Sequence, residues 1–176
     1  QEQNLILKNQ NDKCFVFVNC TNYKLSIDFE KLGLKLFVFL KDNKIENSFI
    51  NVTNSSLTNV QLEKVLHGAQ LKSYDFNLYK SDKSKNTNIK LNVVGNNIKK
   101  TNLLRSKLNA LLQGVFFTRD LVSEPGNVLH PDEYAKRILK LKKFGLKVKV
   151  YDQKKLKKLG FNALLGVGQG SIRGSY

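Results

Sequence analysis

Tryptophan and methionine are missing from this 176-residue sequence, and cysteine, proline and histidine each occur only twice. Two cysteines cannot build a disulfide scaffold. Cys14 and Cys20 fall in one apparent strand, whose extended backbone holds them roughly 20 Å apart. A disulfide needs Cα atoms within about 7 Å, so no bridge is expected between them, which suits a reducing, cytoplasmic setting. His67 and His130 are isolated, and neither has a second histidine at helical spacing, so no clustered metal-ligand motif is present and both read as structural or simply exposed. Neither cysteine has a histidine nearby in sequence, and there is no Gly-x-Ser-x-Gly elbow, so nucleophilic hydrolase chemistry gains no support. Apolar runs long enough to cross a bilayer are also lacking, and residues 1–8 have no apolar secretion core. The Asn-x-Ser/Thr triplets at Asn19, Asn51 and Asn54 are therefore expected to be chance matches in an asparagine-rich chain, and no membrane partner is expected.

Acidic residues are scarce: 14 Asp and Glu stand against 30 Lys and Arg, a formal charge of +16. Such an excess attracts nucleic acid, anionic membrane or acidic proteins. The lysines are spread along the chain with few aromatics among them as stacking platforms, so the simpler reading is compositional drift on a solvated surface. What the sequence does have is apolar residues, at 41%, in regular periodicity, which calls for a packed core. The length suits one domain, or a small domain followed by the opening elements of a second.

The apolar residues of 14–18 and the nearly continuous run 36–40 predict two strands buried on both faces, with a short helix over 28–32 closed by Gly33. Strand, helix, strand then implies a crossover and a partly parallel sheet. Thr58 and Gln61 spell a capping box for a helix that buries Leu62, Val65, Leu66 and Ala69. Residues 81–88 predict a surface loop, 90–94 a short strand and 95–100 a second loop. Leu104, Leu108, Leu111 and Val115 mark a long amphipathic helix over 102–118, read as a connector between domains with its boundary near Lys100. Pro131 at the first helical position, Asp132 and Glu133 in the first turn, and Lys142 and Lys143 before Gly145 write out both ends of another helix. Leu146, Val148 and Val150 alternate as a strand, Asp152 caps a short helix ending at Gly160, and 163–167 predicts a buried strand.

Two features invite chemistry and have plainer explanations. Asp132 and Glu133 form a carboxylate pair, but the first turn of a helix already accounts for both. Gly166, Gly168 and Gly170 follow an expected strand, yet no helix opens after them to complete a phosphate cradle, so a tight turn is the better reading.

Three segments in order carry more information than any of these. Residues 68–80 read GAQLKSYDFNLYK, 119–131 read RDLVSEPGNVLHP, and 159–171 read LGFNALLGVGQGS. Their order and spacing resemble the leucyl aminopeptidases, also called cytosol aminopeptidases, a family of dinuclear metallopeptidases. The motif positions that carry the resemblance are Gly68, Tyr74, Phe76, Tyr79, Lys80, Arg119, Asp120, Glu124, Pro125, Asn127, Pro131, Gly160, Gly168, Gly170 and Ser171, all with structural rather than catalytic roles. Departures include Ser123 where Asn is common, His130 where a better helix cap such as Thr is usual, and Phe161-Asn162 where Met-Gly is common.

The resemblance implies an α/β fold: a small, abbreviated, macro-domain-like N-terminal domain with a mixed sheet over 1–100, a linker helix over 101–118, and over 119–176 the first βα elements of an incomplete catalytic domain. It implies a cytoplasmic enzyme that releases N-terminal amino acids from peptides, in which two divalent ions, manganese or zinc, hold the substrate and activate water. In that family the Lys, Asp and Glu ligands and a catalytic Arg lie beyond the motif that 159–171 matches. Accordingly no catalytic or metal residue is assigned here, no metal is expected in this portion, and it is expected to be inactive alone. The family also implies a homo-oligomer, a hexamer when complete. A basic DNA-binding accessory role is the alternative, and a small-molecule module in 1–100 is a third, for which no nucleotide loop is evident.

Overall fold

The computed structural model describes residues 5–10, 13–18, 21–53, 55–81, 89–95, 102–171 and 173–175. Strands β1 (Leu5–Gln10) and β2 (Lys13–Val18) pair antiparallel, with Leu5 opposite Val18 and Gln10 opposite Lys13. Helix α1 (Ser26–Asp42), strand β3 (Asn47–Asn51), helix α2 (Asn59–Lys72) and strand β4 (Lys90–Val94) follow, and β3 and β4 pair in parallel, Asn47 opposite Lys90 and Asn51 opposite Val94. Then come α3 (Asn102–Ser123), α4 (Pro131–Leu139), a 3-10 helix over Lys140–Phe144, α5 (Gln153–Lys158) and α6 (Asn162–Gly168). The architecture is mixed α/β, and the chain divides into two units, Gln1–Phe116 and Phe117–Tyr176.

In the first unit the core forms around α1 and α2. Phe29, Leu32, Leu36 and Leu40 recur at three- and four-residue spacing on α1 and are all buried, together with Val65 of α2. Residues 36–40 are therefore helix, not the strand the apolar run suggested, because Leu36, Phe37 and Leu40 face the interior from one helical stripe. Gly33 does not close a helix but lies in the middle of α1, where the two helices meet. A Cβ at Gly33 would overlap the Val65 carbonyl, and one at Gly68 would overlap the Glu30 carbonyl. Each helix thus supplies a glycine where the other's backbone passes, and the loss in helix propensity is accepted for the close approach. Lys64 and Glu30 pair across the same crossing at 2.7 Å.

The helix ends follow local chemistry. Asp28 accepts hydrogen bonds from the Leu25 and Lys24 amides at 2.9 and 3.2 Å, holding the start of α1. At α2 the capping box is formed in both directions: the Gln61 amide donates to Thr58 Oγ1 at 3.2 Å, and the Thr58 amide donates to Gln61 Oε1 at 2.8 Å. Leu62, Val65 and Ala69 are buried as expected and Leu66 is half-buried. The strand–helix–strand crossover exists, but two elements later than expected, as β3–α2–β4. On α3 the buried face runs through Leu108 and Leu112, whereas Leu111 is exposed, so the apolar stripe steps by four residues where a step of three was expected.

In the second unit Pro131 opens α4 at its first position and Gly145 ends the following 3-10 turn in the left-handed region at φ 83°. Asp152 caps α5, accepting from the Lys155 amide at 2.8 Å, and Gly160 ends it at φ 77°. Two expected strands are absent. Residues 146–150 hold the alternation of a strand but have no ladder partner among the described residues, and a strand needs one. Residues 163–167 lie within α6, and Leu164 and Val167 are exposed rather than buried. Short apolar runs carry no period that separates strand from helix, and Ala and Leu are strong helix formers.

The side chains of Cys14 and Cys20, the triplets at Asn19 and Asn54, most of the loops expected over 81–88 and 95–100, and the boundary near Lys100 lie outside the described residues.

Candidate functional site

In the second unit, the segment that leaves α3 is built by short backbone bonds. The Glu124 amide donates to the Asp120 carbonyl at 3.0 Å, and the Val128 and Leu129 amides both donate to the Pro125 carbonyl, at 2.9 and 3.0 Å. Pro125 starts the turn with its fixed φ, and Asn127 is exposed within it. Arg137, on the inward side of α4, then clamps the turn. Its Nη1 donates to Glu124 Oε1 at 2.7 Å and its Nε to Glu133 Oε1 at 3.2 Å. The Glu124 side chain is 3% exposed, and the guanidinium that meets it offsets the cost of burying its charge. Hydrogen bonds to Glu124 and then Glu133 raise the Arg137 pKa above its ordinary value.

Asp132 is held by Arg173, whose Nη1 donates to Oδ1 at 3.1 Å. Partial burial acts to raise the Asp132 carboxyl, but the hydrogen bond and charge of Arg173 outweigh it, and its pKa lies below the usual carboxylate value. The Arg173 amide in turn donates to Ser171 Oγ at 3.2 Å. A Cβ on Gly168 would overlap Ser175 Oγ, a hydroxyl that can rotate away, while Gly170 faces open space. Arg119 and Asp120 lie in the last turns of α3.

The remaining motif residues belong to the first unit. Gly68 makes the helix crossing described above. Past α2, Tyr74 tilts against Phe116 with centroids 5.2 Å apart, Phe76 against Tyr79 at 5.8 Å, and Lys80 reaches Asp75 at 3.6 Å. These are packing and turn contacts. His130 stands at the N-cap of α4 without a side-chain cap bond. Among the described residues no group of three His, Cys, Asp or Glu converges as a metal site.

The structure does form one concave site that the sequence did not single out. A cleft of about 510 Å³ lies in the first unit between α2, β4 and α3. Glu63 and His67, one turn apart on α2, line it with Arg105 of α3. Arg105 grips Glu63 through Nη2 at 2.6 Å and Nε at 3.1 Å, and this bond raises the arginine's pKa. His67 is 6% exposed, and its Nδ1 has no hydrogen-bond partner among the described residues. Burial is the main cause of its lowered pKa; Lys64 adds to the effect and Glu30 opposes it. The i, i+4 spacing of Glu63 and His67 was visible in sequence, but Arg105, 42 positions later, was not.

Residues 116–175 match the model of the cytosol aminopeptidase family's catalytic domain. The chain is 45% identical over 107 residues to a probable cytosol aminopeptidase of Gluconobacter oxydans, covering 60% of this chain and 22% of that protein. It is 38% identical over 133 residues to one of Phytoplasma mali, covering 73% of this chain and 27% of that protein. The chain therefore spans roughly a quarter of the length of these relatives. In fold it is similar to a mutant of tomato leucine aminopeptidase, with a TM-score of 0.77 at 15% identity over 95% of this chain and 35% of that one. It is likewise similar to the bottromycin maturation enzyme BotP in complex with Mn, with a TM-score of 0.74 at 19% identity over 97% of this chain and 37% of that one. With its three motif segments in order along both units, the chain belongs to the leucyl, or cytosol, aminopeptidase family.

Proposed function

We propose that this chain serves as the N-terminal portion of a cytoplasmic leucyl aminopeptidase that releases N-terminal amino acids from peptides with two divalent metal ions, manganese or zinc, as cofactors. Residues 1–100 act as its N-terminal α/β domain, 101–118 as a linker helix and 119–176 as the start of the peptidase domain. The division of the chain after Phe116 and the family match beginning at residue 116 support that partition. Within the enzyme this portion supplies architecture and contacts for a homo-oligomer, a hexamer, while the metal ligands and catalytic groups come from outside these 176 residues.

One observation carries the assignment of the chemistry elsewhere. Three carboxylates around the turn that leaves α3, Glu124, Asp132 and Glu133, are each engaged by an arginine. A carboxylate spent on a guanidinium is poorly placed to hold a cation. The test is a paired assay on leucine amide with added manganese, comparing this chain with a form extended downstream. Turnover is expected in the extended form alone; turnover by the 176-residue chain refutes the assignment.

A second reading, binding to DNA, is favoured by one local feature. Residues 136–158 hold ten lysines and Arg137 against a single acid, Asp152, and all ten lysines are exposed. Duplex binding that weakens steeply with salt supports a phosphate-contacting role, since counterion release scales with the contacts made. Absent or salt-insensitive binding removes it.

A further inference from the structure

A run of lysines and a row of exposed apolar side chains adjoin each other between α5 and α6. On α5 the one buried residue is Leu156, and Lys154, Lys155, Lys157 and Lys158 on either side of it are all exposed. The chain then turns at Gly160, where the Gly160 amide donates to the Lys157 carbonyl and the Phe161 amide to the Leu156 carbonyl, both at 3.1 Å. This turn sets the start of α6 directly after the end of α5. From the N-cap of α6 onward, Phe161, Leu164 and Val167 recur at three-residue spacing, which makes them neighbours along the helix surface. They are 50%, 46% and 85% exposed, and Leu159 before them is exposed too.

The lysines have no local countercharge. Residues 140–158 hold nine of them, and the one acid in that stretch, Asp152, is engaged as the cap of α5. The ion pairs of the second unit engage Lys136, Arg137 and Arg173, and none of the nine takes part in one among the described residues. A partner for this stretch must carry negative charge and also accept aliphatic side chains. Duplex DNA meets only the first need, since Leu159, Leu164 and Val167 have no ring to stack on a base. A protein partner fits poorly, because lysine is depleted at protein interfaces. An anionic lipid layer meets both needs: lysines stay among the headgroups while apolar side chains reach the acyl boundary. Among the described residues no helix is long and apolar enough to cross a membrane, so such a contact is peripheral. The expectation of no membrane partner rested on the lack of a spanning run, and a surface contact needs none.

We propose that residues 154–167 form a peripheral docking site for an anionic phospholipid surface, with α5 giving lysines to the headgroups and the row Phe161, Leu164 and Val167 entering the interface. This role goes beyond the aminopeptidase reading and does not depend on where that enzyme's metal ligands lie.

The chain has no tryptophan, so Val167→Trp places a single reporter at the most exposed point of the row. The 176-residue chain and the form extended downstream are each mixed with vesicles of phosphatidylcholine alone, or of phosphatidylcholine and phosphatidylserine in equal parts. Sedimentation is read on the unsubstituted proteins and tryptophan emission on the reporter variant. Both forms should bind the mixed vesicles at least about tenfold tighter than the neutral ones, with a blue shift of the reporter. Leu164→Ser, which keeps every charge, should weaken binding about threefold or more, and Lys154→Glu together with Lys158→Glu at least about tenfold. If Leu164→Ser loses its fold by circular dichroism, Val167→Ser replaces it with the same expectation. Equal binding to both kinds of vesicle, no blue shift, or unchanged affinity in the folded serine variant overturns the proposal. Loss of binding in the extended form also overturns it, since other parts of the protein would then cover the row. Binding to duplex DNA with none to the vesicles does the same.

Discussion

Gly68 and Gly33 are small because another helix's backbone occupies the space a side chain would need. Gly68→Ala forces a methyl group onto the Glu30 carbonyl, and the helices must part to admit it. Overpacking of this kind costs about 3 kcal/mol, and a loss of unfolding free energy of that size, read as a lower denaturant midpoint at unchanged slope, is expected. Gly126, with nothing within 4 Å of an added Cβ, serves as the control. Gly126→Ala should change the midpoint little.

His67 also ties stability to pH. Burial holds its folded pKa below the ordinary 6.5, so between the two values the unfolded chain binds a proton that the folded chain does not. This contribution is fully present above pH 6.5 and is lost as the pH falls toward the folded value. The melting temperature should therefore decline on acidification below about pH 6.5, and His67→Leu should flatten that part of the curve. An unchanged slope in the variant would show that other groups govern it. At Glu124 the dependence is on a partner. Arg137→Ala removes the guanidinium that donates to the nearly buried Glu124 carboxylate and to Glu133, and is expected to cost about 2 kcal/mol, measured by urea unfolding, and Arg137→Lys should recover only part because it keeps the charge but loses the fork.

Helix ends were the most legible features at the scale of elements. Thr58 with Gln61, Pro131 with Asp132 and Glu133, Asp152, Gly145 and Gly160 all act where their types predict. A cap is a bond between residues a few positions apart, so the whole interaction is written in one stretch of sequence. Thr58→Ala should accordingly cost about 1 kcal/mol and lower the melting temperature by several degrees. The same proximity explains the failures over 36–40 and 163–167. Nothing local separates a buried strand from a buried helix in a short apolar run; the choice falls to whatever packs against it, which for 36–40 is α2. Gly33 misled for a related reason. Its role depends on Val65, 32 positions away, and a glycine within an apolar pattern looks like a stop until the partner helix is known.

Across the molecule, burial is distributed unevenly. Among the described residues, ten buried apolar side chains, from Phe29 to Leu112, lie in the first unit, and only Ala135 and Leu156 in the second. The second unit meanwhile exposes Phe144, Leu146, Leu159, Phe161, Leu164 and Val167. Two buried side chains cannot offset the ordering entropy of 60 residues. Residues 117–176 produced alone should therefore show no cooperative thermal transition, while residues 1–116 should show one. Calorimetry on both pieces checks this, and a sharp transition in the shorter piece would contradict it.

The sequence by itself determined the caps, the amphipathic helices and the three ordered segments that place the chain in its family, because each is a matter of which residues stand close together along the chain. Tertiary structure alone decided that 36–40 coils, that two glycines let α1 and α2 touch, and that Arg105 meets Glu63 beside a buried His67. Those outcomes depend on residues tens of positions apart, and their energies exist only once packing has brought the partners together and removed the water between them.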